Sequence, residues 1–174
     1  ASIPAIAANK TASVTCVPNA HTVTVTNSPR ALVKIVGSTA TNSTSATVNS
    51  AESVVFNVKY DNKITLSATK VGYACTVSLP ALTVVNGDKA ATVSCTPNTL
   101  KLTVSNAQLA TVTMSGSSYP NAVTTGSTAS IPFSVRYDDQ IALSATKTGY
   151  VCTVTPATLT VKAAASASVK CIVT

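Results

Sequence analysis

The stretch from Tyr60 to Val77 reads YDNKITLSATKVGYACTV, and the stretch from Tyr137 to Val154 reads YDDQIALSATKTGYVCTV, with 13 of 18 positions identical. The duplication extends in both directions. CVPNAHTVTVTNS from Cys16 matches CTPNTLKLTVSNA from Cys95, and SLPALTVVNGDKAATVSC matches TPATLTVKAAASASVKC. Two units follow, over 19–96 and 97–174, preceded by a segment over 1–18. A duplication of this length favours two small domains of somewhat under 80 residues each. A unit that small buries only about 60% of its unfolded surface, so it is marginal without a covalent staple or a neighbour.

Within each unit apolar and polar residues alternate, as in HTVTVTN (His21 to Asn27), VFNVKY (Val55 to Tyr60) and KLTVSN (Lys101 to Asn106). Period two places Val23 and Val25 on one face and Thr22, Thr24 and Thr26 on the other, the pattern of an antiparallel sheet with one wet face. Turn chemistry falls between the runs at Asn27-Ser28-Pro29, Tyr60-Asp61-Asn62 and Tyr137-Asp138-Asp139. Asn86-Gly87 is the sharpest hairpin signal, because both residues tolerate the positive φ of a type I′ turn. No segment reads as a helix. The predicted fold is all-β: two tandem small β-sandwich domains, each with one disulfide, plus an N-terminal strand segment.

The order of motifs resembles the small β-sandwich repeats called PEGA or carboxypeptidase-regulatory-like domains, transthyretin-like or immunoglobulin-like in architecture. TVTVTNSPRALVKIVGS and KLTVSNAQLATVTMSGS stand as the first two strands, then ITLSATKVGY or IALSATKTGY enters a Gly-Tyr turn, then a closing hairpin follows. The resemblance covers both units and implies extracellular spacers or binding modules that are rarely catalysts.

Five cysteines lie at 16, 75, 95, 152 and 171, and repeat symmetry allows two registers. One joins Cys75 to Cys95 and Cys152 to Cys171, leaving Cys16 unpaired or free to bond another subunit. The other joins Cys16 to Cys75 and Cys95 to Cys152. The first keeps each bond inside a unit and is the favoured one, although spacing alone leaves both open. A loop of about 20 residues closed this way contributes on the order of 3 kcal/mol in the chain-entropy model. Cysteine pairs at zinc-ligand spacing are absent from the sequence, so no metal is expected.

Only 10% of residues are charged, against about 25% in an ordinary soluble domain. A surface of Ser, Thr and Asn points to an extracellular or cell-surface setting. The net charge of +7 is scattered along the chain, and aromatics make up 4%. Nucleic-acid binding wants a basic stripe with stacking rings and is not expected. Weak contact with a cell surface or an acidic polysaccharide fits the charge better. No apolar run is long enough to span a membrane, and Ala1-Ser2 reads as the terminus left by a removed signal peptide.

Catalytic groups are scarce. His21 is the single histidine, tied to no nucleophile or carboxylate by a recognisable spacing. Asp138-Asp139 reads as a solvated hairpin turn in preference to a calcium site, which needs six to eight oxygens. Gly72-Tyr73 and Gly149-Tyr150 read as strand ends with a positive φ at glycine and a tyrosine covering the end of the sandwich. Asn9 and Asn42 head N-glycosylation triplets. The expected protein is not an enzyme and uses no cofactor.

Residues 4–16 resemble the closing hairpin of a missing earlier repeat. Within residues 1–18, Ile3, Ile6 and Val14 then lie on a segment able to add to another sheet. The sequence therefore reads as an extracellular structural subunit of a surface filament, polymerising head to tail by strand addition through residues 1–18. The alternative is an adhesin or carbohydrate-binding fragment of a longer multi-repeat surface protein.

Overall fold

The computed structural model describes residues 13–37, 52–119 and 128–174. Among them there are fourteen strands and no helix. The first unit contributes β1 (Ala20–Thr26), β2 (Leu32–Val36), β3 (Ser53–Lys59), β4 (Lys63–Thr69), β5 (Tyr73–Val77), β6 (Ala81–Thr83) and β7 (Lys89–Pro97). The second repeats them as β8 (Thr99–Ser105), β9 (Thr111–Ser115), β10 (Ser130–Arg136), β11 (Gln140–Thr146), β12 (Tyr150–Thr155), β13 (Thr158–Thr160) and β14 (Ala165–Val173).

Alternation becomes burial directly. Val23 and Val25 of β1 are fully buried, and Val54, Phe56 and Val58 of β3 point into the same core while Val55 faces out. Four strands in the order β3-β1-β7-β5 face three in the order β2-β4-β6. The second unit has the same pair of sheets, β10-β8-β14-β12 and β9-β11-β13. β1 pairs with β7 in parallel and every other ladder is antiparallel, with β8 and β14 again the parallel exception. A parallel first and last strand needs a crossover between them, and the five intervening strands supply it. Each sandwich encloses its own hydrophobic cluster, centred on Phe56 in the first and Phe133 in the second. The chain is therefore two β-sandwich domains in series.

Both disulfides take the favoured register. Cys75 faces Cys95 across β5 and β7, and Cys152 faces Cys171 across β12 and β14, each with Cα atoms 4.0 Å apart. Each bond fastens an edge strand, β5 or β12, to the central strand beside it.

Two expectations are corrected. Asn86-Gly87 is not a hairpin: β6 pairs with β4 in one sheet and β7 with β1 and β5 in the other, so the turn carries the chain between sheets. Gly87 has the expected positive φ, +61, but Asn86 does not share it, so the turn is not type I′ either. Asp138-Asp139 is likewise a crossing between sheets, from β10 to β11, and Asp139 is only 8% exposed, not solvated. Residues 13–19 belong to no strand; Val14 is 87% exposed there.

Candidate functional site

Part of the repeated stretch falls at the ends of the sandwiches. At the turn from β4 to β5, Lys70 and Tyr73 form an isolated bridge around Gly72, whose φ of +79 is the left-handed conformation that glycine adopts without penalty. Lys70 Nζ donates to Pro29 O at 2.9 Å and lies 4.4 Å from the centre of the Tyr73 ring. In the second unit Lys147 Nζ donates to Gln108 O at 2.6 Å and lies 4.6 Å from the Tyr150 ring. The lysine of the ATKxGY motif is thus a clamp. It ties the turn leaving one sheet to the loop leaving the other, and its charge rests on an aromatic face.

The loop so clamped is organised by a buried asparagine. Asn27 Nδ2 donates to Ala31 O and Ala31 N donates to Asn27 Oδ1, both at 2.9 Å, with the side chain fully buried. Asn106 does the same for Ala110 at 2.7 and 3.0 Å. Each amide satisfies both backbone groups of a residue that water cannot reach. The sequence placed Asn27 in a turn but not in the interior, and the spacing of Asn four positions before Ala, in NSPRA and NAQLA, is the signal that marks both asparagines.

The two sandwiches are bridged through Asn98 and packed through two tyrosines. Asn98 stands between β7 and β8; its N–H donates to Gly72 O and its carbonyl accepts from Tyr137 N, both at 2.9 Å. The Tyr73 and Tyr137 rings pack edge to face with centroids 5.7 Å apart, a favoured aromatic geometry. A Cβ on Gly72 would lie 2.3 Å from the Tyr137 ring, so close approach as well as φ demands glycine. Lys162 Nζ bonds Asp138 Oδ1 at 3.0 Å and sits 5.5 Å from the Tyr137 ring. The hydrogen bond to Asp138, and the charge behind it, hold the Lys162 ammonium above the usual lysine range. An open groove of about 870 Å³ runs along this joint, with Arg30, Lys70 and Lys162 beside the two tyrosines.

Asp139 is an organiser of its loop. Its carboxylate accepts from Ser117 Oγ at 3.0 Å, Ser118 Oγ at 2.7 Å, Ser118 N at 3.2 Å and Arg136 N at 2.8 Å. Burial alone would push its pKa up, but these donors together hold it below the ordinary carboxylate range. Asp88, exposed, is also lowered, chiefly by the Thr22 backbone N–H at 2.7 Å and then by its side chain.

The remaining candidates are dispersed. Cys16 is exposed and free. His21 is half-buried in β1, opposite Val58 of β3. Ile3, Ile6, Asn9 and Asn42 lie outside the described residues. Among the described residues no three His, Cys, Asp or Glu side chains cluster as a metal site, and no helix is long and apolar enough to cross a membrane.

No protein-family model matches the chain. No curated protein matches it either. Among solved structures it is similar to the Bacillus anthracis TIE protein, at 13% identity and a TM-score of 0.50, over 86% of this chain and 32% of that one. At that identity the likeness is one of fold, and the chain spans about a third of the neighbour's length.

Proposed function

We propose that the chain is an extracellular structural subunit of a surface filament or appendage, built from PEGA-like or carboxypeptidase-regulatory-like sandwiches set head to tail. The observation that carries this reading is where the repeated residues are engaged. Lys70, Gly72, Tyr73, Tyr137 and Asp138 all contact the protein's own backbone or each other. A spacer needs its most reiterated side chains in its joints, whereas a catalytic centre leaves them facing a substrate. Two disulfides suit an oxidising compartment. In this reading residues 1–18, with Ile3, Ile6 and Val14, add to a sheet edge of a neighbouring subunit, where exposed Cys16 can bond it. Negative-stain microscopy of native material tests the function: regular fibres are expected, and isolated particles alone would refute it.

One observation favours the second reading, an adhesin or carbohydrate-binding fragment of a longer surface protein. The joint groove sets two tyrosine rings beside three cationic side chains, a lining suited to an acidic polysaccharide. Titration with a polyuronate, read by tyrosine fluorescence, tests it: saturation that Lys162→Ala weakens supports the reading, and no binding at low salt removes it.

A further inference from the structure

The two disulfides occupy the same place in the repeat, but the strand that carries the second cysteine is held differently in the two units. Along β5 and β7 the Asn98 N–H donates to Gly72 O and the Ser78 N–H to Thr92 O, on either side of the Cys75–Cys95 pair. Bonded and non-bonded pairs alternate in an antiparallel ladder, so Cys75 faces Cys95 without a hydrogen bond, and the Cys95 N–H and C=O point away from β5. β1 lies on that side, but its ladder with β7 ends at Thr92.

The second unit has the same geometry around Cys152 and Cys171, and there β8 leaves β14 at Ser168. A side chain takes the place of the missing strand. Gln108 Nε2 donates to Cys171 O at 2.6 Å, and Gln108 Oε1 accepts from Cys171 N. The matching residue of the first unit, in NSPRA against NAQLA, is Pro29, whose ring carries neither donor nor acceptor. Burial differs in the same sense. Cys171 is 4% exposed, whereas Cys75 and Cys95 are both half-buried.

Cys75 also lines the open groove at the joint, beside Arg30, Lys70 and Lys162. Those cations favour an approaching thiolate, the species that attacks a disulfide. The bond sits at a mechanical point as well. Cys75 follows Gly72 and Tyr73 on β5, and Cys95 stands three residues before Asn98. Gly72, Tyr73 and Asn98 are the first unit's contacts with Tyr137. The bond thus ties together the two strand ends that reach the second sandwich.

We infer that Cys75–Cys95 is a reducible latch: an external dithiol opens it ahead of Cys152–Cys171, and its opening frees the joint between the sandwiches. One thiolate of the dithiol attacks Cys75 Sγ, the S–S bond breaks, and Cys95 leaves as a thiolate that takes up a proton. The second thiol, losing its proton, displaces Cys75 from the mixed disulfide, and Cys75 is protonated in turn. Two electrons pass to the protein, and the dithiol ends as a cyclic disulfide. β5, an edge strand, is then held by its ladder with β7 alone, and Gly72 and Tyr73 at its start lose their fixed place against Asn98 and Tyr137.

Reduction of the full chain by dithiothreitol under native conditions tests the order, in a Cys16→Ser background so that no protein thiol competes. Alkylation at intervals and peptide mapping should find Cys75 and Cys95 labelled at a rate about tenfold or more above that of Cys152 and Cys171. Pro29→Gln, which gives the first unit the amide of the second, should slow the first bond, and Gln108→Ala should hasten the second. NMR of the chain with only the first bond open tests the latch. Contacts between the Tyr73 and Tyr137 rings should vanish while amides around Phe56 stay protected from exchange. Equal rates for the two bonds, rates that neither variant moves, ring contacts that outlast reduction, or loss of protection throughout the first unit would each overturn the inference.

Discussion

The two ATKxGY turns have nearly the same sequence and the same backbone, and they do different work. Around Gly72 the turn is packed against Tyr137 of the next sandwich; around Gly149 it faces solvent. The units differ again at the Tyr-Asp turn, where Asn62 of the first stands in the place of buried Asp139 of the second, whose carboxylate fastens Ser117 and Ser118. The comparison separates two demands that one motif meets. Left-handed φ at glycine and the lysine clamp serve every copy by itself, while the lack of a Cβ is needed for a neighbouring ring at Gly72 alone.

The largest expected effect treats the units as equals. Replacing both cysteines of a pair by alanine, Cys75 with Cys95 or Cys152 with Cys171, should cost the unit concerned about 3 kcal/mol. Scanning calorimetry should show its melting fall by roughly 12 °C or more while the other unit holds. Equal falls in both units would mean that they fold as one. Next, Asn27→Ala and Asn106→Ala each strip two partners from a buried backbone residue and should cost about 2 kcal/mol, read as a drop in the urea midpoint.

The glycines then break the symmetry. Gly72→Ala and Gly149→Ala both incur about 1 kcal/mol for the left-handed backbone. Only Gly72→Ala drives a methyl group into the Tyr137 ring. It should therefore lower stability further and shift the Tyr73 and Tyr137 ring resonances in NMR, while Gly149→Ala leaves them in place. Identical effects of the two substitutions would remove the distinction drawn between the turns.

The smallest effect is one of pH. The folded pKa of Asp139 is lowered, so its contribution is fully present above the unfolded value, about 3.9, and is lost as pH falls through the folded value. Acid melting of the second unit should steepen below about pH 4 through this carboxylate, and Asp139→Asn should flatten that part of the profile. Asp88 in the first unit has the same sign, but it is exposed and held chiefly by Thr22, so Asp88→Asn should change little.

Much of the fold was legible because period-two alternation reports burial residue by residue. Val23, Val25, Phe56 and Val58 are inside for that reason alone. The disulfides were legible once the repeat was seen, since a bond that respects the repeat has few registers. Strand partners were not. Asn86-Gly87 announces a reversal but says nothing about which sheet receives the next strand, because long-range pairing with β1 and β5 decides that. Asp139 was misread for a similar reason: its donors lie 21 and 22 residues away at Ser118 and Ser117.

The joint stayed hidden because aligning two copies compares like with like. That sets Tyr73 beside Tyr150, when the contact that matters joins Tyr73 to Tyr137, which aligns with Tyr60. Tyrosines from different positions of the repeat are neighbours in space.

The central claim is that the reiterated turns form a fixed joint between sandwiches, and residual dipolar couplings test it most directly. With the joint formed, amides of β1 to β7 and of β8 to β14 should fit a single alignment tensor. Gly72→Ala, which forces Tyr137 away, should split that tensor into two. Separate tensors in the wild-type chain would contradict the account, because they would make Asn98 a hinge and the Tyr73–Tyr137 contact incidental.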